Sequence, residues 1–182
     1  MSRVLVAYGS KYGATAEIAE AIGRALEERG LEAEVRRAGS VRSPEGYRAA
    51  IVGSAVYAAH WRREALRFLR THRDWLARHP VWLFSSGPVG PDDEHTGEAE
   101  AERWTKPKKA RELAAQIGAR AHVVFGGKVD GDRGFLRRRM ARSMPEETRD
   151  RRDWEEIAAW AAGIAAELRS GSTLPTEGHP SG

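Results

Sequence analysis

Five short apolar runs alternate with stretches of helical periodicity, and that alternation restricts the fold of this chain more than any other feature. The runs are Arg3 to Tyr8, Ala33 to Arg37, Ala49 to Ser54, Pro80 to Phe84 and Ala121 to Phe125. Helical patterns cover Thr15 to Arg29, Arg62 to Ala77, Lys106 to Gly118 and Asp153 to Arg169. Strands joined through helices predict an α/β fold with a mostly parallel sheet and helices on both faces. Ala33 to Arg37 alternates in polarity and suits an edge, whereas Ala49 to Ser54 is small or apolar on both faces and suits the centre. A short helix is expected at Phe135 to Ala141, inside an insertion-like segment. The 182 residues fit one domain, expected over residues 1–169, with a flexible Gly/Ser/Pro/Thr tail over residues 170–182.

In an open sheet of this kind, ligands sit beyond the carboxyl ends of the strands, where the strand order reverses. The loops after the first, third and fourth runs are therefore candidates for one shared pocket. The first, Gly9-Ser10-Lys11-Tyr12-Gly13-Ala14-Thr15, is the most informative. It leads a strand into a helix whose first amides have no partner within the helix. Their dipoles, with the hydroxyls of Ser10, Tyr12 and Thr15, can converge on one anionic group. Gly9 and Gly13 remove bulk where the chain must turn closely. The loop lacks the spaced glycines of a dinucleotide fingerprint, and Lys11 is not placed as a Walker lysine, which points away from NAD and ATP.

The chain has no cysteine, which excludes disulfides, thiolate nucleophiles, cysteinyl iron–sulfur ligation and a cysteine-attached flavin. Redox chemistry here requires a bound cofactor. Gly53-Ser54 and Ser85-Ser86-Gly87 lack nucleophile-elbow spacing, and His60 has no partner at metal-ligand spacing, so no catalytic residue and no metal site is assigned. The net charge is +4, with one group of arginines at Arg62, Arg63, Arg67, Arg70 and Arg73 and another from Arg133 to Arg142. That surface is either simply solvated or suited to acidic partners and anionic headgroups. No nucleic-acid-reading signature accompanies it, and no nucleic-acid partner is expected. No run reaches the roughly 20 apolar residues of a membrane span, and no basic-then-apolar leader precedes the first strand. The expected location is cytoplasmic, with transient contact at the inner face of the membrane through Gly127 to Arg142 as a further expectation.

The unit Val4-Leu5-Val6-Ala7-Tyr8-Gly9-Ser10-Lys11-Tyr12-Gly13-Ala14-Thr15, followed by Val52-Gly53-Ser54-Ala55-Val56-Tyr57, resembles the flavodoxin-like proteins. Phe125-Gly126-Gly127-Lys128-Val129-Asp130 ahead of a basic helix, and Asp153-Trp154 opening the last helix, are more similar to the flavodoxin-type, menaquinone-linked protoporphyrinogen oxidases and their short relatives. The likeness runs from about Arg3 to Leu168. It implies a flavodoxin-like open parallel five-stranded sheet in the order 2-1-3-4-5 and one noncovalent FMN. The first loop would hold the phosphate through Ser10, Lys11, Tyr12, Gly13, Ala14 and Thr15. Ser54, Ala55, Val56, Tyr57 and Trp61 would border the flavin ring, with Tyr57 or Trp61 stacked on it. Ser86, Gly87, Pro88, Val89 and Gly90 would form the other wall, which has no aromatic residue and so opens the flavin face unless Trp104 or His95 folds over it. The implied activity is FMN-dependent oxidoreduction, protoporphyrinogen oxidase-like, from an organic substrate or reductant to a quinone or protein acceptor. The alternative is a flavodoxin-like electron carrier without an organic-substrate site.

Overall fold

The computed structural model describes residues 3–87, 106–128, 150 and 152–171. Its strands are β1 (Arg3–Gly9), β2 (Ala33–Arg37), β3 (Tyr47–Tyr57), β4 (His60–Trp61), β5 (Val81–Gly87) and β6 (Ala121–Gly126). Its helices are α1 (Ala14–Glu27), α2 (Arg63–Thr71), α3 (Arg73–Leu76), α4 (Lys108–Gln116) and α5 (Trp154–Ser170), with a 3-10 turn at Ala38–Ser40. Pro88, Val89, Gly90, His95, Trp104, the expected helix at Phe135 to Ala141, the basic segment from Val129 to Arg142 and the tail beyond Gly171 lie outside the described residues.

The five long strands pair in parallel in the order β2-β1-β3-β5-β6, while the short β4 pairs antiparallel with β3 alone. Counting only the long strands, this is the expected 2-1-3-4-5 order. The sheet separates two cores. On one face Leu5, Val52 and Leu83 meet Leu66 and Leu69 of α2, Leu76 of α3 and Leu113 of α4. On the other, Val6, Ile51, Trp82 and Phe84 meet Ile18 and Ile22 of α1 and Ile157 and Ile164 of α5. Burial on both sides explains why the inner strands carry near-continuous apolar runs, and β2, at an edge, stays half-exposed.

Two packing details fix the height of the central strands. Phe84 lies across Gly53, and a Cβ at Gly53 would sit 1.9 Å from its ring. Gly9 lets the start of α2 close on β1, because a Cβ there would meet that of Arg62 at 2.9 Å. The helix expected over Arg62 to Ala77 is interrupted at His72 (φ −107°, ψ 20°). The turn brings Trp75 and Leu76 into the core while the His72 ring packs 4.8 Å from that of Phe68.

Candidate functional site

β1 ends at Gly9, and the chain reaches α1 through Ser10 to Gly13. The amide of Gly13 donates to Ser10 Oγ at 3.1 Å, folding the loop back on itself. Gly13 is the N-cap of α1, at φ +103°, a left-handed conformation that disfavours a side chain although nothing lies within 4 Å of its Cβ position. A glycine N-cap has no side chain to cap the helix, so the amides of Ala14, Thr15 and Ala16 head α1 uncapped by Gly13. Ser10 and Thr15 are buried beneath this turn, at 2% and 1% exposure. The result is a partial positive charge concentrated at an open turn, the electrostatic requirement for holding a phosphate.

Glu64, in the first turn of α2, faces the loop from the other side. Its Oε1 accepts the Ser10 amide at 3.1 Å and lies 3.8 Å from Arg37 Nη1. No local pattern around Glu64 marks this role, because the contact joins residues 54 positions apart. Lys11 is exposed and lies 5.0 Å over the Tyr12 ring. A second acid, Glu17 in the first turn of α1, pairs with Arg152, whose side chain is only 4% exposed. Arg152 also holds Asp150 through Nε–H to Oδ1 at 2.8 Å and Nη2–H to Oδ2 at 2.6 Å, which keeps the Asp150 carboxyl below the ordinary range.

The segment after β3 departs from a plain loop. β3 continues through Ala55, Val56 and Tyr57, turns at Ala58 and Ala59, and pairs back through His60 and Trp61. Both central residues of the turn have positive φ, 46° and 56°, a hairpin geometry normally signalled by Asn-Gly or Gly-Gly. Alanines carry no such signal, which is why the hairpin is illegible in the sequence. Ser54 is fully buried and occupied, donating to Ala55 O and accepting the Arg62 amide, both at 2.9 Å. The two aromatic candidates separate. Tyr57 stands at the rim, edge-on to Tyr12 with centroids 6.0 Å apart. Trp61 is 3% exposed, donates its indole N–H to Ser85 Oγ at 2.9 Å and meets the His122 ring edge-on at 5.3 Å.

His122 Nε2 lies 2.9 Å from the same Ser85 Oγ, and its Nδ1 is buried with no hydrogen-bond partner among the described residues. Because Trp61 can only donate, the serine hydroxyl has its own proton to offer to His122 Nε2. Burial, reinforced by Lys106, pulls the His122 pKa down to about 4, so the ring is neutral at pH 7.

At the carboxyl ends of the strands these parts meet in a shallow crevice with about 20 Å³ of free space. Ser10, Ala14 and Thr15 supply one side, Ala55, Val56 and Tyr57 a second, and Ser86 and Gly87 a third. Gly127 and Lys128, just beyond β6, close it from a direction not assigned to the cofactor by sequence reasoning, although the Gly126-Gly127-Lys128 run carries the signal. A Cβ at Gly127 would lie 2.6 Å from the carbonyl carbon of Gly87, so the two segments touch backbone to backbone.

A parallel sheet in this order, with an open helix amino end and three loops gathered at the carboxyl edge, defines the flavodoxin class of α/β proteins. The chain belongs to the flavodoxin domain family, whose sequence profile matches residues 5–154. Solved structures bear out the fold. Rubredoxin oxygen:oxidoreductase from Desulfovibrio gigas is similar at TM-score 0.63 and 13% identity, over 96% of this chain and 38% of that one. This chain therefore spans little more than a third of that enzyme. A cysteine-to-serine mutant of flavodoxin from Pseudomonas aeruginosa is similar at TM-score 0.59 and 19% identity, over 92% of this chain and 99% of its own. Oxidised flavodoxin 2 from Bacillus cereus gives TM-score 0.57 and 19% identity, over 93% and 99%. No curated protein matches the sequence.

Proposed function

We propose that this chain binds one FMN noncovalently and serves as an electron-transfer protein. The observation that carries the reading is the start of α1, uncapped by Gly13, with Ser10 and Thr15 buried beside it and Tyr57 across the crevice. These residues fit a phosphate ester. The amides of Ala14 and Thr15 would hold its oxygens together with the Ser10 and Thr15 hydroxyls. The crevice is too narrow to enclose a fused ring, so the ring would stand at the rim, against Tyr57 and the main chain of Ala55 and Val56. Ser86 and Gly87 would bound it opposite. When bound, FMN supplies reversible one- and two-electron transfer, while the chain orients it and limits water at its edge.

The test is a titration of the full chain with FMN and with riboflavin, followed by flavin absorbance and fluorescence. FMN is expected to bind at least 100-fold more tightly, since hydrogen bonds to a charged group contribute roughly 1.5–3 kcal/mol each. Equal affinities would remove the phosphate cradle from the argument, and no uptake of either would remove the flavin. The reading as an FMN-dependent oxidoreductase with an organic substrate and a quinone acceptor draws support from one feature, a cavity of about 540 Å³ beside Tyr57, Trp61 and Arg62. Bleaching of bound flavin by a porphyrinogen, with re-oxidation by a quinone, would favour it over the carrier.

A further inference from the structure

The cavity beside Tyr57 is one end of a longer groove. Two more cavities, of about 230 and 420 Å³, follow it between α2 and α4, and Leu66 and Lys109 border all three. The groove runs from the β3–β4 hairpin to Arg70 near the end of α2 and Arg73 at the start of α3, with Arg63 to Arg70 spanning roughly 10 Å by helix rise. Its floor is apolar, formed by Leu66 and Leu113 at 8% exposure. Its walls are basic. Arg63 and Arg70 from α2 and Lys109 from α4 make no ion pair with any described residue, and Glu112, the single acid among the described residues that line it, is matched by Lys108 at 3.8 Å.

We infer that this groove is the docking surface for an acidic protein partner in electron transfer. The inference rests on the reading of the chain as a flavin carrier, because what gives the groove redox meaning is its continuity with the crevice at Tyr57, which lines both. Three observations select an acidic protein face. Cations with no ion pair among the described residues, on two facing helices and spread over the length of α2, exceed what one compact anion can engage. The apolar floor gives a partner a patch to cover once the charges have aligned it, as in weak, salt-sensitive redox complexes. A membrane surface fits less well, since the site is concave and the one large apolar residue exposed among the described residues, Trp154, stands at the start of α5.

The experiment uses the full chain, with and without added FMN, and a plant-type [2Fe–2S] ferredoxin as the acidic probe, with cytochrome c as the basic control. Binding is read by calorimetry at 20 and 300 mM salt, in about a hundredfold range of probe concentration, and electron transfer by stopped flow in the loaded protein. The expected result is ferredoxin affinity at least tenfold weaker at high salt and at least tenfold weaker in Arg70→Glu/Lys109→Glu, with cytochrome c not losing affinity in that variant. Glu112→Lys should strengthen ferredoxin binding several-fold. FMN affinity should be the same in all three proteins, because these side chains are remote from the α1 cradle. Ferredoxin binding indifferent to salt and to both variants overturns the docking surface, whether or not flavin is present. Binding of phosphatidylserine vesicles that is lost in the double variant, with no ferredoxin binding, overturns it in favour of a membrane. Failure to take up FMN alongside charge-dependent ferredoxin binding would instead sink the carrier reading and leave the surface standing.

Discussion

Glu64 places a negative charge against the loop that the proposed phosphate must approach, and its contact with the Ser10 amide occupies one donor of that loop. Removing the charge while keeping an acceptor oxygen should leave the loop folded and ease the approach of a dianion. Glu64→Gln is therefore expected to raise FMN affinity about fivefold, or ~1 kcal/mol for a screened charge pair near the surface. Riboflavin affinity should not change, and the two titrations run side by side check the assignment. A parallel loss for both flavins would show that Glu64 is needed to hold the loop instead. Arg152 acts in the opposite sense on Glu17, matching an acid that would otherwise face the same helix end. Neither relationship is visible along the sequence. Both join residues more than 50 positions apart, whereas Ser10, Gly13 and Thr15 announce themselves through one contiguous strand-to-helix junction.

Among the elements, the β3–β4 hairpin is the one built against local preference. Ala58 and Ala59 both sit in the left-handed region, which costs an L-residue roughly 1–2 kcal/mol, and neither is a glycine or asparagine. Ala59→Gly should stabilise the protein by about 0.5–1 kcal/mol, the relief being partly offset by the greater freedom of glycine in the unfolded chain. Ala59→Val should destabilise it by at least ~1 kcal/mol, because a β-branched residue tolerates positive φ poorly. Urea unfolding of the three proteins checks both, and equal midpoints would remove strain from the hairpin. Period and polarity made the five long strands and their neighbouring helices readable, since burial on both faces of a parallel sheet writes itself into continuous apolar runs. The same rules were silent on β4, which is held by two residue pairs and the Trp61–Ser85 hydrogen bond. They were silent too on the break at His72, where tertiary packing of Phe68 and Trp75 overrides a helical pattern.

For the molecule as a whole, the buried His122 couples the fold to acidity. Its pKa is near 6.5 when unfolded and about 4 when folded, so between those values the unfolded chain binds the extra proton. Stability should rise from pH 4 to 6.5, by at most about 3 kcal/mol from this group, and be insensitive to it above. Denaturation midpoints measured across that window in the parent and in His122→Phe should differ in slope, the variant being flatter there. A slope shared by both would show the ring is not the titrating group.

The backbone contact between Gly87 and Gly127 has a consequence for how that corner can recognise anything. Where two main chains meet with no side chain between them, the surface on offer is peptide: amides, carbonyls and α-hydrogens. Such a boundary discriminates by outline and by the direction of peptide dipoles, and it cannot be retuned by exchanging one functional group for another. Any residue larger than glycine at position 127 would force the ends of β5 and β6 apart. Selectivity through side chains must then come from other positions around the crevice, Tyr57 at the opposite rim among them.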